Sequence, residues 1–376
     1  MSDEARLAFA YLSRVAEPPC PQLAALVRRE GPVEAAKLVK AGAVDADLAR
    51  RTEARRDINT AAEDLHLLAR RGGRLVTADD DEWPLLSFTG FAGVDHRARP
   101  EAHPPLALWV VGPGRLDDMA QRAVAIVGTR AATSYGEHVA AELAAGLVER
   151  DVTVVSGGAY GIDGAAHRAT LGTDGFTVAV LASGIDVPYP SGHTALLHRI
   201  GQEGLLVSEY PPSVRPARHR FLTRNRLVAA LSGATVVVEA GVRSGAANTA
   251  AWARALGRAV CAVPGPVTSA ASVGCHALLR DEANLVTRAA EIVELIGHVG
   301  ELAPDEVRPE SMLDGLSEAE QRVYDAMPAR GRRTVDQIAV ASGLPPTQVL
   351  GPLSMLEVCG LVSRVDGYWR LCRPKP

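Results

Sequence analysis

From Ala123 onward the chain repeats one pattern: a short β-branched, apolar run that ends in glycine, serine or an acid, followed by an alanine-rich stretch with helical spacing. VAIVG, VTVVSGG, TVAVLASG, LLVSEY, TVVVEAG and AVCAVPG are the runs, and GEHVAAELAAGLVER typifies the stretches between them. Strands that are apolar at nearly every position need cover on both faces, and the intervening helices supply it. The pattern therefore predicts an α/β fold built on a parallel sheet. Ligands of such sheets bind at the carboxyl ends of the strands, and the glycine-rich punctuation falls there.

At 376 residues the chain exceeds one ordinary core and predicts two or three domains. Net charge is −4, so any polyanion site must be local rather than a property of the whole surface. Aromatics make up 4%, which favours phosphate contacts over long base-stacking platforms. No apolar run approaches the ~20 residues of a membrane span, and no membrane partner is expected. MSDEARLAF lacks the basic region and apolar core of a signal peptide, so a cytoplasmic home is expected. Cys20, Cys261, Cys275, Cys359 and Cys372 are scattered without a C-x-x-C pair, which signals neither zinc nor disulfides.

Residues 1–75 read as a small module of short amphipathic helices broken at Pro18-Pro19 and Gly31-Pro32. Residues 76–297 read as the sheet domain, in which 76–113 form a connector feeding an edge strand, LALWVVG. A linker at 298–310 precedes a compact segment at 311–376. There Ser317 and Glu320 form a capping box, two further helices meet at Gly343, and LVSRVDGYWRLC makes a hairpin turning at Asp366-Gly367. Three helices and a hairpin are a winged-helix arrangement. Its residues hold eight Lys and Arg against seven Asp and Glu, and PPTQVLGPLSMLEVC carries no cation, so contact with protein is expected more than with duplex DNA.

Four constellations carry chemistry. After VAIVG, the residues Gly128, Thr129 and Arg130 form a strand-to-helix loop with free amides and a cation. In VVSGGAYGIDGAAH, the segment Ser156, Gly157, Gly158, Ala159, Tyr160 and Gly161 reads as a phosphate cradle opening a helix near Ile162. It lacks the dinucleotide G-x-G-x-x-G frame and a Walker lysine. Between Pro211 and Arg226 stand five arginines and no acid. Arg218, Arg220 and Phe221 lead into Arg224, Asn225 and Arg226, with Thr223 as the expected helix cap and Phe221 able to stack a base. Finally Ser244 and Gly245 begin another helix, with Asn248 and Thr249 in its first turn.

Asp163 and His167 lie four apart on one helical face and are read as a structural pair rather than as an acid and base. Glu209 and Glu239 end strands and are read as partners of the arginines. No nucleophile elbow accompanies them, so no catalytic residue, metal ligand or cofactor is assigned.

These strings, in this order, resemble the DprA/Smf family of DNA-processing proteins: VAIVGTRAATSYG, VVSGGAYGIDGAAH, LASGIDVPYPSGH, LLVSEYPP, RFLTRNRLVAALS, VVVEAGVRSGAANTA and AVPGPVTSAASVG. The approach at Asp80 to Pro84 belongs to the same pattern. The resemblance implies an extended Rossmann-like parallel sheet flanked by an N-terminal helical, SAM-like module and a C-terminal winged helix. It further implies a non-enzymatic homodimer that binds single-stranded DNA, loads the RecA recombinase, displaces or bypasses single-strand binding protein, and protects DNA in natural transformation. Two departures stand out: His276 occupies an asparagine position, and Glu282 rather than glycine precedes Ala283. The alternative is a phosphoribohydrolase-like enzyme that cleaves nucleotides in the same cleft, with Glu239 or Asp163 as the acid. The arginine run, which exceeds one nucleotide's charge, separates the two readings.

Overall fold

The computed structural model describes residues 1–297 and 315–372. The expected linker at 298–310 and the start of the terminal module lie outside the described residues. The chain divides into two compact units, Met1–Pro304 and Asp305–Pro376.

The first unit is a nine-stranded sheet carrying helices. Its strands are β1 (Gly73–Thr77), β2 (Ala107–Val111), β3 (Ala123–Val127), β4 (Thr153–Ser156), β5 (Thr177–Leu181), β6 (Leu205–Ser208), β7 (Ala234–Val237), β8 (Ala259–Ala262) and β9 (Asn284–Leu285). They lie in the order β1-β2-β6-β5-β4-β3-β7-β8-β9. All pairings from β6 to β9 are parallel, and β1-β2 and β2-β6 are antiparallel. The expected edge strand, LALWVVG, is not an edge: β1 pairs along its outer side, from Gly73 opposite Val111 to Thr77 opposite Ala107. The strand order reverses between β3 and β7, and that reversal opens a crevice at their carboxyl ends.

Every residue of β2 through β7 is buried. Side chains alternate across the sheet as strand geometry requires. Ala123, Ala125 and Val127 enter a core under the helices Arg218–Ala230 and Gly245–Ala255, whereas Val124 and Ile126 enter one under Ser134–Val148 and Ile162–Gly172. The amino-terminal helices do not close on themselves alone. Phe9, Leu12, Leu26 and Leu48 share one core with Leu75, Trp109, Ile200 and Leu206 of the sheet layer.

Polar ties run the same way. Arg14 bridges Asp64 at 2.8 Å and donates to the Pro212 carbonyl. Glu17 accepts from Arg55 at 2.7 Å and from Arg220 at 2.6 Å. Burial pushes the Glu17 carboxyl up, but the hydrogen bonds and charges of Arg220 and Arg55 outweigh it and bring the pKa down to about 2.

The second unit has helices Glu318–Asp325, Val335–Ser342 and Pro346–Val358 and the hairpin β10 (Val362–Val365) and β11 (Tyr368–Leu371). The capping box of Ser317 and Glu320 forms as expected. Asp366 and Gly367 both take positive φ, 52° and 81°, as a two-residue turn of this hand demands. Val323, Ile338, Val349, Leu353, Leu356 and Trp369 fill its core. It is a winged helix.

Trp109, fully buried where the helical module meets the sheet, tests that shared core. Trp109→Ala should cost about 3–5 kcal/mol, the range for deleting a large buried aromatic. Urea unfolding of the whole chain measures it, and a loss confined to the signal of the amino-terminal helices would contradict a single shared core.

Candidate nucleic-acid interface

The crevice at the strand-order reversal holds a cavity of about 760 Å³. Three carboxyl-terminal loops meet in it: Gly128, Thr129 and Arg130 after β3, Gly157 and Ala159 after β4, and Ser244 and Gly245 after β7. Arg218, Phe221, Arg224 and Asn225 line it from the helix Arg218–Ala230.

The local chain explains each placement. Gly161 turns the cradle at φ 72°, and a side chain there would strike the Thr129 and Arg130 carbonyls. At Gly157 a Cβ would lie 2.5 Å from Nη2 of Arg224, so only glycine lets that guanidinium reach the loop. Arg224 is buried and donates from Nη1 to the Val180 carbonyl at the tip of β5. Burial lowers its pKa to about 10, with Asp163 opposing the fall and the nearby charge of Arg130 adding to it. At neutral pH it remains a cation.

Asp163 has another task than the expected pairing with His167. Its Oδ2 accepts from the Gly157 amide at 3.1 Å and the Ala159 amide at 3.4 Å. Two amides assigned to phosphate are thus already engaged, and the weight of anion binding shifts to the guanidinium groups. Burial raises the Asp163 carboxyl, opposed by Arg224 and these amides. His167 instead meets Thr177 Oγ1 through Nδ1 at 2.7 Å. Thr177 spends its own hydrogen on the Val154 carbonyl, so Nδ1 is the donor and Nε2 the bare nitrogen.

The glutamates separate. Glu209 is the carboxylate of a fully buried pair, accepting from Arg226 Nη2 at 2.6 and 2.8 Å. Among the described residues Glu239 pairs with no arginine: Oε2 accepts from the Thr133 amide at 2.9 Å and Oε1 from its hydroxyl at 2.6 Å, fixing the start of Ser134–Val148.

The arginine helix also departs from expectation. It begins at Arg218, after Ala217, so Thr223 is a mid-helix residue bonded back to the His219 carbonyl rather than a cap. Arg224 and Arg226 are two positions, roughly 200°, apart around the axis. Arg224 lines the cavity, and Arg226, 0% exposed, points away from it. Arg220 also turns aside, to Glu17 and over the Tyr210 ring. Ser156 is buried, donating to the Ile126 carbonyl. Gly158 and Gly161 shape the loop without lining the cavity, and Tyr160 reaches only a small annex of about 40 Å³.

That annex is aromatic. The Tyr189 and Phe221 rings lie 5.3 Å apart, tilted 50° to one another, and the Arg130 guanidinium lies 5.1 Å from the Phe221 centroid. Sequence reasoning missed Tyr189 and Arg243, an exposed cation lining the cavity. Both lie in quoted strings, LASGIDVPYPSGH and VVVEAGVRSGAANTA, and their place in the loops that follow β5 and β7 was the available signal. The helix Gly245–Ala255 also starts at the cavity, with its Ala247 amide already capped by the Ser244 hydroxyl at 3.2 Å. Asn225 is engaged, donating to Gly245 O at 3.2 Å and Asn248 Oδ1 at 3.1 Å. Of the two departures, His276 meets the Gly265 carbonyl at 3.0 Å, and Glu282 adopts φ 60°, a left-handed conformation that glycine would take more readily.

The lining therefore carries Arg130, Arg218, Arg224 and Arg243 against the single carboxylate Asp163. Among the described residues no cluster of His, Cys, Asp and Glu could hold a metal ion.

Two outcomes follow. Gly157→Ala should keep the fold but displace Arg224, weakening anion binding by about tenfold, the scale of one charge-assisted hydrogen bond. Titration with a labelled oligonucleotide reads it, and unchanged affinity would refute the role given to this close approach. For His167, burial first, then the charges of His193, Arg224 and Arg168, push the pKa down to about 3. The unfolded imidazole takes its proton first, so stability falls as pH drops from about 6.5 toward 3, by at most about 1.4 kcal/mol per unit. Urea midpoints across that window should show the slope, and His167→Gln should flatten it.

Known proteins agree with this architecture. Residues 74–297 match the family model of DNA recombination-mediator protein A, and 307–368 match the DprA winged helix domain. A putative DNA processing protein DprA of Mycobacterium tuberculosis is 69% identical over 373 residues, 99% of this chain and 96% of that protein. Protein Smf of Escherichia coli is 36% identical, covering 80% of this chain and 78% of its own length. The X-ray structure of DNA processing protein A from Streptococcus pneumoniae aligns with a TM-score of 0.62 at 27% identity, over 78% of this chain and 98% of that one. That of Helicobacter pylori, described for its single-stranded DNA binding mode, aligns at 0.50 and 27% identity, over 59% and 94%. The chain is thus a member of the DprA/Smf family of DNA processing proteins.

Proposed function

We propose that the cavity binds the sugar-phosphate backbone of single-stranded DNA, and that the protein acts without catalysis as a recombination mediator that loads RecA. The observation that carries this reading is the convergence of Arg130, Arg218, Arg224 and Arg243 on one open cavity between strand tips. Four cations exceed the charge of one nucleotide and suit a chain of phosphates. Guanidinium groups and amides grip oxyanions without reading bases, so sequence preference is slight. The annex of Tyr189, Phe221 and Tyr160 offers a face on which any base can stack.

Enzymatic use of the same cleft finds less support. Glu239 and Asp163, the acids such chemistry would need, are both committed to hydrogen bonds that shape the loops. RecA loading, passage through single-strand binding protein, pairing of two protomers and a part in natural transformation belong to this reading on the family's account. No helix among the described residues is long and apolar enough to cross a membrane.

Salt titration is the direct test. If four phosphates are neutralised, the affinity for oligo-dT should fall with log salt at a slope of about −3, from ~0.7 per contact. Arg130→Ala and Arg243→Ala should each reduce the slope by about 0.7 and weaken all sequences alike. A flat salt response, or loss confined to one sequence, would refute backbone binding. For mediation, RecA filament growth on strands coated with single-strand binding protein should quicken when the protein is added and not with Arg130→Ala.

A further inference from the structure

A second large recess on the same unit shares no lining residue with the cleft: a groove of about 490 Å³ along the helix Thr194–Glu203. Thr194, Leu197, His198 and Gly201 follow one another at i, i+3, i+4 and i+7, so one face of that helix forms the wall. The floor is aliphatic, made by Val111, Leu181, Ile185 and Leu206. Gly201 deepens it, because a Cβ there would sit 3.3 Å from Leu206.

The rim is cationic. Arg70 and Arg71, at the carboxyl end of the helix Ala61–Arg70, line the groove and are exposed. Neither side chain has a hydrogen-bond or ion-pair partner among the described residues. Asp186, the carboxylate lining the groove, is occupied by Ser213, accepting from its amide at 2.7 Å. The devices that suit phosphate in the cleft, glycine-rich strand tips with a buried guanidinium, are not repeated here. From Thr194 to Gln202 the wall spans about 12 Å, which is three or four residues of extended chain.

We propose that this groove receives an extended acidic peptide segment of a partner protein. An aliphatic or aromatic side chain seats on the floor between Leu181 and Leu206, and neighbouring carboxylates meet Arg70 and Arg71. Charge complementarity at the rim selects an acidic partner, and the aliphatic floor selects an apolar anchor within it. The inference does not rest on DNA binding in the cleft.

Fluorescence anisotropy with the full chain tests it, using a labelled synthetic peptide in which a short run of aspartates precedes leucines. Saturable binding at micromolar concentration is expected. It should weaken about tenfold for the double variant Arg70→Glu, Arg71→Glu and for Gly201→Met, which fills the floor without touching charge, and for a peptide with serines in place of leucines. Oligo-dT affinity should stay unchanged in both variants. Absence of saturable binding, or indifference to the leucine-to-serine change, would overturn the proposal. So would a loss of oligo-dT affinity in the arginine variant with peptide binding unaltered, since the groove would then belong to a nucleic-acid track.

Discussion

The cleft depends on one buried cation. Arg224 sits where the tips of β4 and β5 meet the arginine helix, donating to the Val180 carbonyl with its charge facing Asp163. Asp163 in turn holds the amides of Gly157 and Ala159. The arrangement therefore fixes the loop, the helix and the position of positive charge before any ligand arrives, and preorganisation of this kind lowers the entropic cost of binding.

The same helix distributes its arginines in three directions. Arg218 and Arg224 face the cavity, Arg226 pairs with Glu209 in the interior, and Arg220 reaches Glu17 in the amino-terminal helices. Only the first two have a direct route to an anion in the cleft. The other two hold the helix in place, and their worth to binding is positional. Glu17 joins Arg55 to Arg220, so the helical module bears directly on the element that carries the cavity's cations.

Most of the sheet was legible because its strands are apolar on both sides: each of the six quoted runs became one of β3 through β8. The ends of the sheet were harder. β1 carries Gly73 and Arg74, and β9 is only Asn284–Leu285, too short for any period to show. The start of the arginine helix was misplaced because Ala217 caps nothing, and the nearest good capping residue, Thr223, lies a turn and a half inside. Within the cleft, the glycine loops and Arg130 could be read from position after a strand, whereas the fate of each arginine on a helix could not. With Thr223 as its cap the helix would start six residues late, so Arg218 and Arg220 fall in a loop and have no helical face to be assigned to. The two roles of Asp163 and Glu239 were hidden for a similar reason, since both accept from backbone amides, which leave no trace in residue type.

The core shared by the helical module and the sheet has a consequence for how the chain is made. Phe9 and Leu12 leave the ribosome first, yet Ile200 and Leu206, which complete their packing, follow nearly two hundred residues later. At translation speeds of 5–20 residues per second that interval is about 10 to 40 s. Throughout it the newborn helices present unclosed apolar surface, so the earliest-made part of this protein is among the last to reach its final company.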